Sequence, residues 1–226
     1  MAKNGKSGKQ VRMDRKNQNR PLVVAVAVIL ASLLAWPTVG LAQLGGLLPP
    51  LAATTVTGQA TAVRATLLGI LGSATTTVLS DTGTLAGTSD ARAASQLTGS
   101  IPALLGAETL HTTTIGSPNE VDSEASLENL GLNVAGIGIS ADLIMARASQ
   151  MSGALGTGAS SIDNLAINGV PVAVTGQPNQ SVAIPGGQIV INEQIIVPGS
   201  TTVNALHITV IGIIDIVIAS ASAGIS

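Results

Sequence analysis

The 226-residue sequence contains no Cys, no Phe and no Tyr, and its one Trp is Trp36. Each absence closes a class of function. Without Cys there is no thiol nucleophile, no Cys-type zinc site and no disulfide, so an exported form must draw its stability from core burial. Without aromatic rings beyond Trp36 there are no flat apolar faces on which bases could stack, and by the same logic none for sugar rings. Charge is scarce as well, at 10% of residues, whereas 46% are hydrophobic. That ratio and length suit one mid-sized domain with an aliphatic core.

The little positive charge is gathered at one end. Seven of the ten basic residues (Lys3, Lys6, Lys9, Arg12, Arg15, Lys16 and Arg20) fall in the first twenty positions. An apolar run follows from Leu22 to Trp36, broken only by Ser32, and then Pro37 and the small-residue site Gly40-Leu41-Ala42. A basic n-region, an h-region and a cleavage site predict a helical secretory signal peptide over residues 1–42, cut after Ala42. The run of about 15 residues falls short of the roughly 20 that a helix needs to cross hydrocarbon, so an uncleaved anchor is the lesser alternative. Residues 43–53, opening QLGGLLPP, read as a flexible mature N-terminus or tether.

Removing residues 1–42 leaves three basic residues (Arg64, Arg92 and Arg147), no Lys and eleven carboxylates, a formal charge of −8. Three Arg in a negative field cannot neutralise a row of phosphates, so nucleic acid is not an expected partner. The same field disfavours anionic membrane surfaces, and no membrane partner is expected once the signal peptide is gone. Schiff-base chemistry has no Lys to use.

From Thr54 onward the texture predicts strands. Blocks such as TTVTGQATAV (54–63) and ATTTVL (74–79) are rich in β-branched residues that fit a pleated surface. Between Asp81 and Glu108 the small residues allow helix or loop equally, so this stretch reads as irregular with one short helix near Ala91 to Leu97. Ser117 to Glu124 reads as an exposed turn. Ser126 to Val134 and Ile137 to Ile144 form two long strands or one bent by glycines. Ser160 to Ile167 and Val170 to Val174 flank Asn168-Gly169, the pair that favours a type I′ hairpin. Gln188 to Val197, Thr201 to Val210 and Ile213 to Ala219 follow, separated by Pro-Gly or Gly turns. The expected fold is therefore an all-β, antiparallel β-sandwich-like domain over residues 54–226, with a β-barrel or β-solenoid as the alternative. Its core would include Leu130, Leu132, Ile167, Ile189, Ile191, Leu206, Ile208, Ile216 and Ile218.

The runs GASSIDNLAINGVPVAV (157–174), GGQIVINEQIIV (186–197) and TTVNALHITVIGIIDIVIASASAGI (201–225) resemble the bacterial choice-of-anchor P family. TVTGQATAVRATLLG (55–69) and ISADLIMARAS (139–149) resemble the first half of that family, so the likeness covers most of the chain after the signal peptide. It is most specific over 160–225. The resemblance implies an exported domain, common in actinobacteria, whose members end in different surface-attachment signals or in none. It carries no activity. The sequence stops at Ser226 without a sorting motif or hydrophobic tail, so a freely released member is expected.

Several constellations invite chemical readings. Asp81-Thr82-Gly83 matches the catalytic turn of aspartic proteases, in which two Asp share a proton; a turn with Asp81 bonded to nearby amides explains the same residues. Gly136-Ile137-Gly138-Ile139-Ser140-Ala141 matches a G-x-G-x-x-A dinucleotide fingerprint, but glycines at a strand bend suit β-rich surroundings better. Glu120, Asp122 and Glu124 alternate, which would align three carboxylates for Ca²⁺ on an extended segment, or form a solvated acidic turn. His207, with Glu193 and Asp215 on adjacent strands, could hold a metal or relay a proton, or be a hydrogen-bonded surface histidine. His111 stands apart from it. Asn179-Gln180-Ser181 is a chance match to the glycosylation triplet.

In every case the structural explanation outweighs the chemical one. The sequence therefore predicts no catalytic, cofactor-binding or metal-binding residues and no cofactor. It points to a secreted or cell-surface structural or interaction domain with an extracellular partner, acting through a sheet edge or a flat Thr/Ser face. The competing readings are a secreted hydrolase built on Asp81 and a Ca²⁺-dependent surface-adhesion module.

Overall fold

Thirteen antiparallel strands account for most of the described residues, and they form two layers. The computed structural model describes residues 54–69 and 72–226; the expected signal peptide (1–42) and tether (43–53) lie outside the described residues. Sheet A has the order β10 (Gln180–Ile184), β11 (Gly187–Val197), β12 (Ser200–Val210), β13 (Ile214–Ile225), β1 (Val56–Leu68), β2 (Ala74–Asp81). Sheet B has the order β3 (Ala91–Ile101), β4 (Leu105–Gly116), β5 (Glu120–Val134), β6 (Ile137–Met151), β8 (Ala166–Ile167), β9 (Val170–Pro171), and β7 (Thr157–Asp163) also pairs with β6. Neither sheet closes into a barrel, and the architecture is a β-sandwich. Nearly every strand pairs with its sequence neighbour, and the chain changes sheet only between β2 and β3 and between β9 and β10. The last strand, β13, returns to pair with the first, β1.

The layers are aligned. Strand β1 lies over β4 and β5, β13 over β5 and β6, and β12 over β6 and β7. Aligned packing of this kind interdigitates the inner faces of both sheets. With no aromatic residues to fill it, the core is aliphatic, and Ile189, Ile191, Leu206, Ile208, Ile216 and Ile218 are all 0% exposed. Leu130 and Leu132 are buried as expected, and Ile167 is partly buried against the same core. Opposite the bulkier residues, β1 and β13 present small ones: Ala60, Ala62, Ala65, Ala221 and Ala223. At Gly58 the sheets come so close that a Cβ would sit 2.5 Å from Thr114 Oγ1 and 2.8 Å from Val121.

One row of residues interrupts the alternation in each sheet. In sheet A the flanking pairs align Ser80, Ala62, Ala219, Ala205 and Asn192 across five strands. Ser80, Ala219 and Asn192 have positive φ (48°, 51° and 53°), and all five side chains are buried. Each strand there turns two consecutive residues inward, such as Ile191 with Asn192 and Leu206 with Ala205. Sheet B does the reverse: Thr109, Asn129 and Asn164 have φ near 50°, and Glu108 with Thr109 and Glu128 with Asn129 point outward together. A left-handed residue bends its strand. Doubling inward in one layer and outward in the other is what a bend shared by both layers requires.

Three expectations need correction. Ala91 to Leu97 is not helical but opens β3, and only residues 82–90 of the stretch from Asp81 to Glu108 form a long irregular segment. β3 is the edge of sheet B and mostly exposed, with Leu97 at 82%, so it has almost no apolar periodicity to read. Its conformation comes from pairing with the Thr-rich β4. Pro102 ends it in a tight turn, closed by Leu104 N–H donating to the Ile101 carbonyl at 3.0 Å. The acidic stretch from Ser117 to Glu124 is a turn only as far as Asn119, since β5 begins at Glu120. Finally, the segment read as one strand from Ser160 to Ile167 is split at Asn164 into β7 and β8. The Asn168-Gly169 turn forms as expected, with φ of 50° and 75° between the paired Ile167 and Val170.

Candidate functional site

Asp81 ends β2 at the edge of sheet A, and its carboxylate is fully engaged. Gln59 Nε2 donates to both oxygens at 3.0 Å, Thr61 Oγ1 donates at 2.7 Å, and the Gly83 N–H donates to Oδ1. Thr82 Oγ1 accepts from the Ala60 N–H at 3.0 Å and donates to the Gly83 carbonyl at 2.8 Å. Gly83 supplies the positive φ of 66° that the turn needs. This is the geometry of a chain reversal anchored to β1. A protease dyad instead brings a second carboxylate against the first.

His207 lies on the outer face of sheet A, on β12 between β11 and β13. Its Nδ1 is 3.0 Å from Glu193 Oε2 and its Nε2 is 3.1 Å from Asp215 Oδ2. Glu193 also accepts from Asn204 Nδ2 at 2.6 Å, while the buried Asn204 Oδ1 has no partner among the described residues. An ionised carboxylate at each ring nitrogen favours the imidazolium, in which both nitrogens donate. Partial burial, the largest single influence, lowers its pKa, but the hydrogen bonds to Glu193 and Asp215 together outweigh it and raise the pKa above the ordinary 6.5. In that cationic form neither nitrogen has a lone pair to give a metal. The ring ties three strands together.

Glu120, Asp122 and Glu124 do share the outer side of β5. Opposite Glu124 on β6 stands Arg147, whose Nε donates to Glu124 Oε2 at 2.6 Å. Among the described residues no group of three His, Asp or Glu is placed to hold a metal ion. Sequence reading missed Arg147 as the partner, because only the β5–β6 register, set by the Ala135-Gly136 turn, brings the two together. That turn accounts for the G-x-G-x-x-A run: Ala135 and Gly136, with φ of 49° and 81°, join Val134 to Ile137 in a two-residue hairpin. Among the described residues there is no helix whose N-terminus could receive a phosphate.

A groove of about 570 Å³ opens over this part of sheet B, lined by Thr113, Ile115, Asp122, Glu124, Arg147 and Ser149 with residues 157–159 of β7. Neither Asp81 nor His207 belongs to it. His111 is exposed on β4 of sheet B, so the two histidines occupy different sheets. Asn179 sits in the turn before β10 with φ of 60°, and its Oδ1 accepts from the Gln194 N–H at 2.9 Å. No helix among the described residues is long and apolar enough to cross a membrane. Comparison with models of known protein families, with curated proteins and with solved structures finds no match for the chain.

Proposed function

We propose that the protein is an exported structural and interaction domain of the choice-of-anchor P type, working at the cell surface or outside the cell. The observation that carries this reading is the dispersal of its reactive groups. Asp81 on β2 and His207 on β12 are three strands apart in sheet A, roughly 14 Å. Each is saturated by hydrogen bonds from its own sheet, and the groove on sheet B contains neither. A hydrolase needs its nucleophile, base and electrophile gathered in one concavity with capacity to spare. The basic, apolar and small-residue succession of residues 1–42 supports export. The runs that resemble that family fall on strands and turns, which is compatible with the reading.

Asp81→Asn tests the reading against the hydrolase. The amide keeps one acceptor but sets an NH₂ against the donors of Gln59 and Thr61, so stability should fall by about 1–3 kcal/mol in urea denaturation. The wild-type protein should release no peptide from a mixed protein substrate. Peptidase activity in the wild type that disappears in Asp81→Asn at a temperature where both are folded would reverse the conclusion.

A further inference from the structure

Charge is distributed along the length of the sandwich as unevenly as it is along the sequence. At one end lie the β1–β2, β3–β4, β5–β6, β8–β9, β10–β11 and β12–β13 connections. Residues 65–80, 93–107, 129–141, 164–192 and 208–214, which supply all six, contain no Asp, Glu, Lys, Arg or His. Aliphatic side chains project there instead: Ile211 is 81% exposed, Val170 65% and Ile213 51%, beside Leu67 and Leu68. The Leu68 N–H donates to the Ile213 carbonyl at 2.9 Å and the Ile211 N–H to Gly186 at 3.0 Å, so three neighbouring tips of sheet A are tied together.

Below this cap runs a girdle of charge. On sheet B it comprises Glu108, Glu128, Asp142 and Asp163, at the row where the strands turn two residues outward. Asp142 is six residues from Gly136 at the tip, so the uncharged cap is about 20 Å deep on that side. On sheet A the nearest charge is Asp215, closer to the tips and joined to His207. Asp81, paired with Thr61 midway along β1, stands at the girdle's depth; the opposite end carries Asp90 and Glu120, and there Thr55 is hydrogen-bonded to Ser226. Thr55 therefore lies roughly 40 Å from the tips, at the far end of the 13-residue β1.

We propose that the uncharged end seats in the interface of a neutral or zwitterionic lipid surface, with Ile211, Ile213, Val170 and Leu68 entering the acyl boundary. Separate aliphatic tips suit a deformable medium that closes around each of them, and the polar residues between them, Thr and Asn, are at home among headgroups. The acidic girdle selects the lipid. It would be repelled by an anionic surface, because Arg64 and His207, the cations at its level, are outnumbered by Glu108, Glu128, Asp142, Asp163, Glu193 and Asp215. This departs from the expectation that the domain has no membrane partner once the signal peptide is gone; the charge argument behind that expectation concerned anionic surfaces. This proposal deepens the cell-surface reading by naming what the domain touches, and it rests on that reading for where the lipid is met.

The test is co-flotation with phosphatidylcholine vesicles of protein recovered from a secreting host, its N-terminus defined by intact mass. Wild type should float, and Ile211→Asn combined with Val170→Asn should lower the partition coefficient at least about tenfold. Leu155→Asn, which changes a side chain 68% exposed at the opposite end, should leave binding unchanged. All three sites are exposed, so folding is not at stake, and melting curves confirm it. Adding phosphatidylglycerol should weaken binding. The proposal fails if wild type does not float, if it needs phosphatidylglycerol, or if Leu155→Asn is as damaging as the tip variant. It fails equally if light scattering shows a dimer that Ile211→Asn dissociates, since the occupant of the tips is then a second copy. None of these outcomes bears on catalysis or export, which the Asp81 assay and the secreted mass decide.

Discussion

His207 couples the fold to pH in a direction that its surroundings determine. Its folded pKa lies above 6.5 because Glu193 and Asp215 favour the cation more than partial burial opposes it. The stabilisation is therefore fully present below the unfolded value and is lost as pH rises through the folded one. Urea midpoints measured upward from below pH 6.5 should fall for the wild type, and His207→Gln should flatten that segment of the curve. An unchanged slope would mean that the bridge contributes nothing. The grouping of His207 with Glu193 and Asp215 was legible in the sequence, but for an incomplete reason. The Pro198-Gly199 turn fixes Glu193 opposite Asn204 and Val190 opposite His207. Plain alternation from Val190 would then turn Glu193 inward. The left-handed Asn192 shifts the alternation by one residue and brings Glu193 outward to the ring. Nothing in the local sequence announces that shift. Asp81 was the opposite case, since an Asp two residues before a glycine in a turn declares its own hydrogen bond.

At the level of elements, what could be read was what local chemistry determines. Asn168-Gly169 and Pro198-Gly199 specify two-residue turns, and the β-branched runs on either side of Pro198-Gly199 specify strands. β3 had no such signature, because an exposed edge strand of Ala, Ser and Thr owes its conformation to its neighbour. The Ala135-Gly136 hairpin was obscured for a related reason: Ala stands where this turn ordinarily has Asn or Gly. Ala135 is exposed, with φ of 49°, and an L residue with a Cβ strains there. Ala135→Asn should therefore raise unfolding stability by about 1 kcal/mol, because the short polar side chain tolerates the left-handed region. Ala205→Gly supplies the contrast. Ala205 is fully buried in the bend row with ordinary φ, so losing its methyl and loosening the unfolded chain should cost about 1 kcal/mol or more. Chemical denaturation of both variants checks the sign of each. Destabilisation by Ala135→Asn would mean that the turn's strain is offset by a contact of the alanine methyl.

At the level of the whole molecule, the charge pattern is what supports the proposal of export. Its described domain has no Lys, three Arg and a formal charge of −8, while the first twenty residues concentrate seven cations ahead of an apolar run. Seven cations ahead of an apolar run have the order that the proposed export would require of a signal peptide. Expression in a secreting bacterial host followed by intact-mass measurement of each fraction should find protein in the medium whose mass begins at Gln43. The domain would then be free to meet its surface through the uncharged tips alone. A full-length mass confined to the membrane fraction would instead make residues 22–36 an anchor.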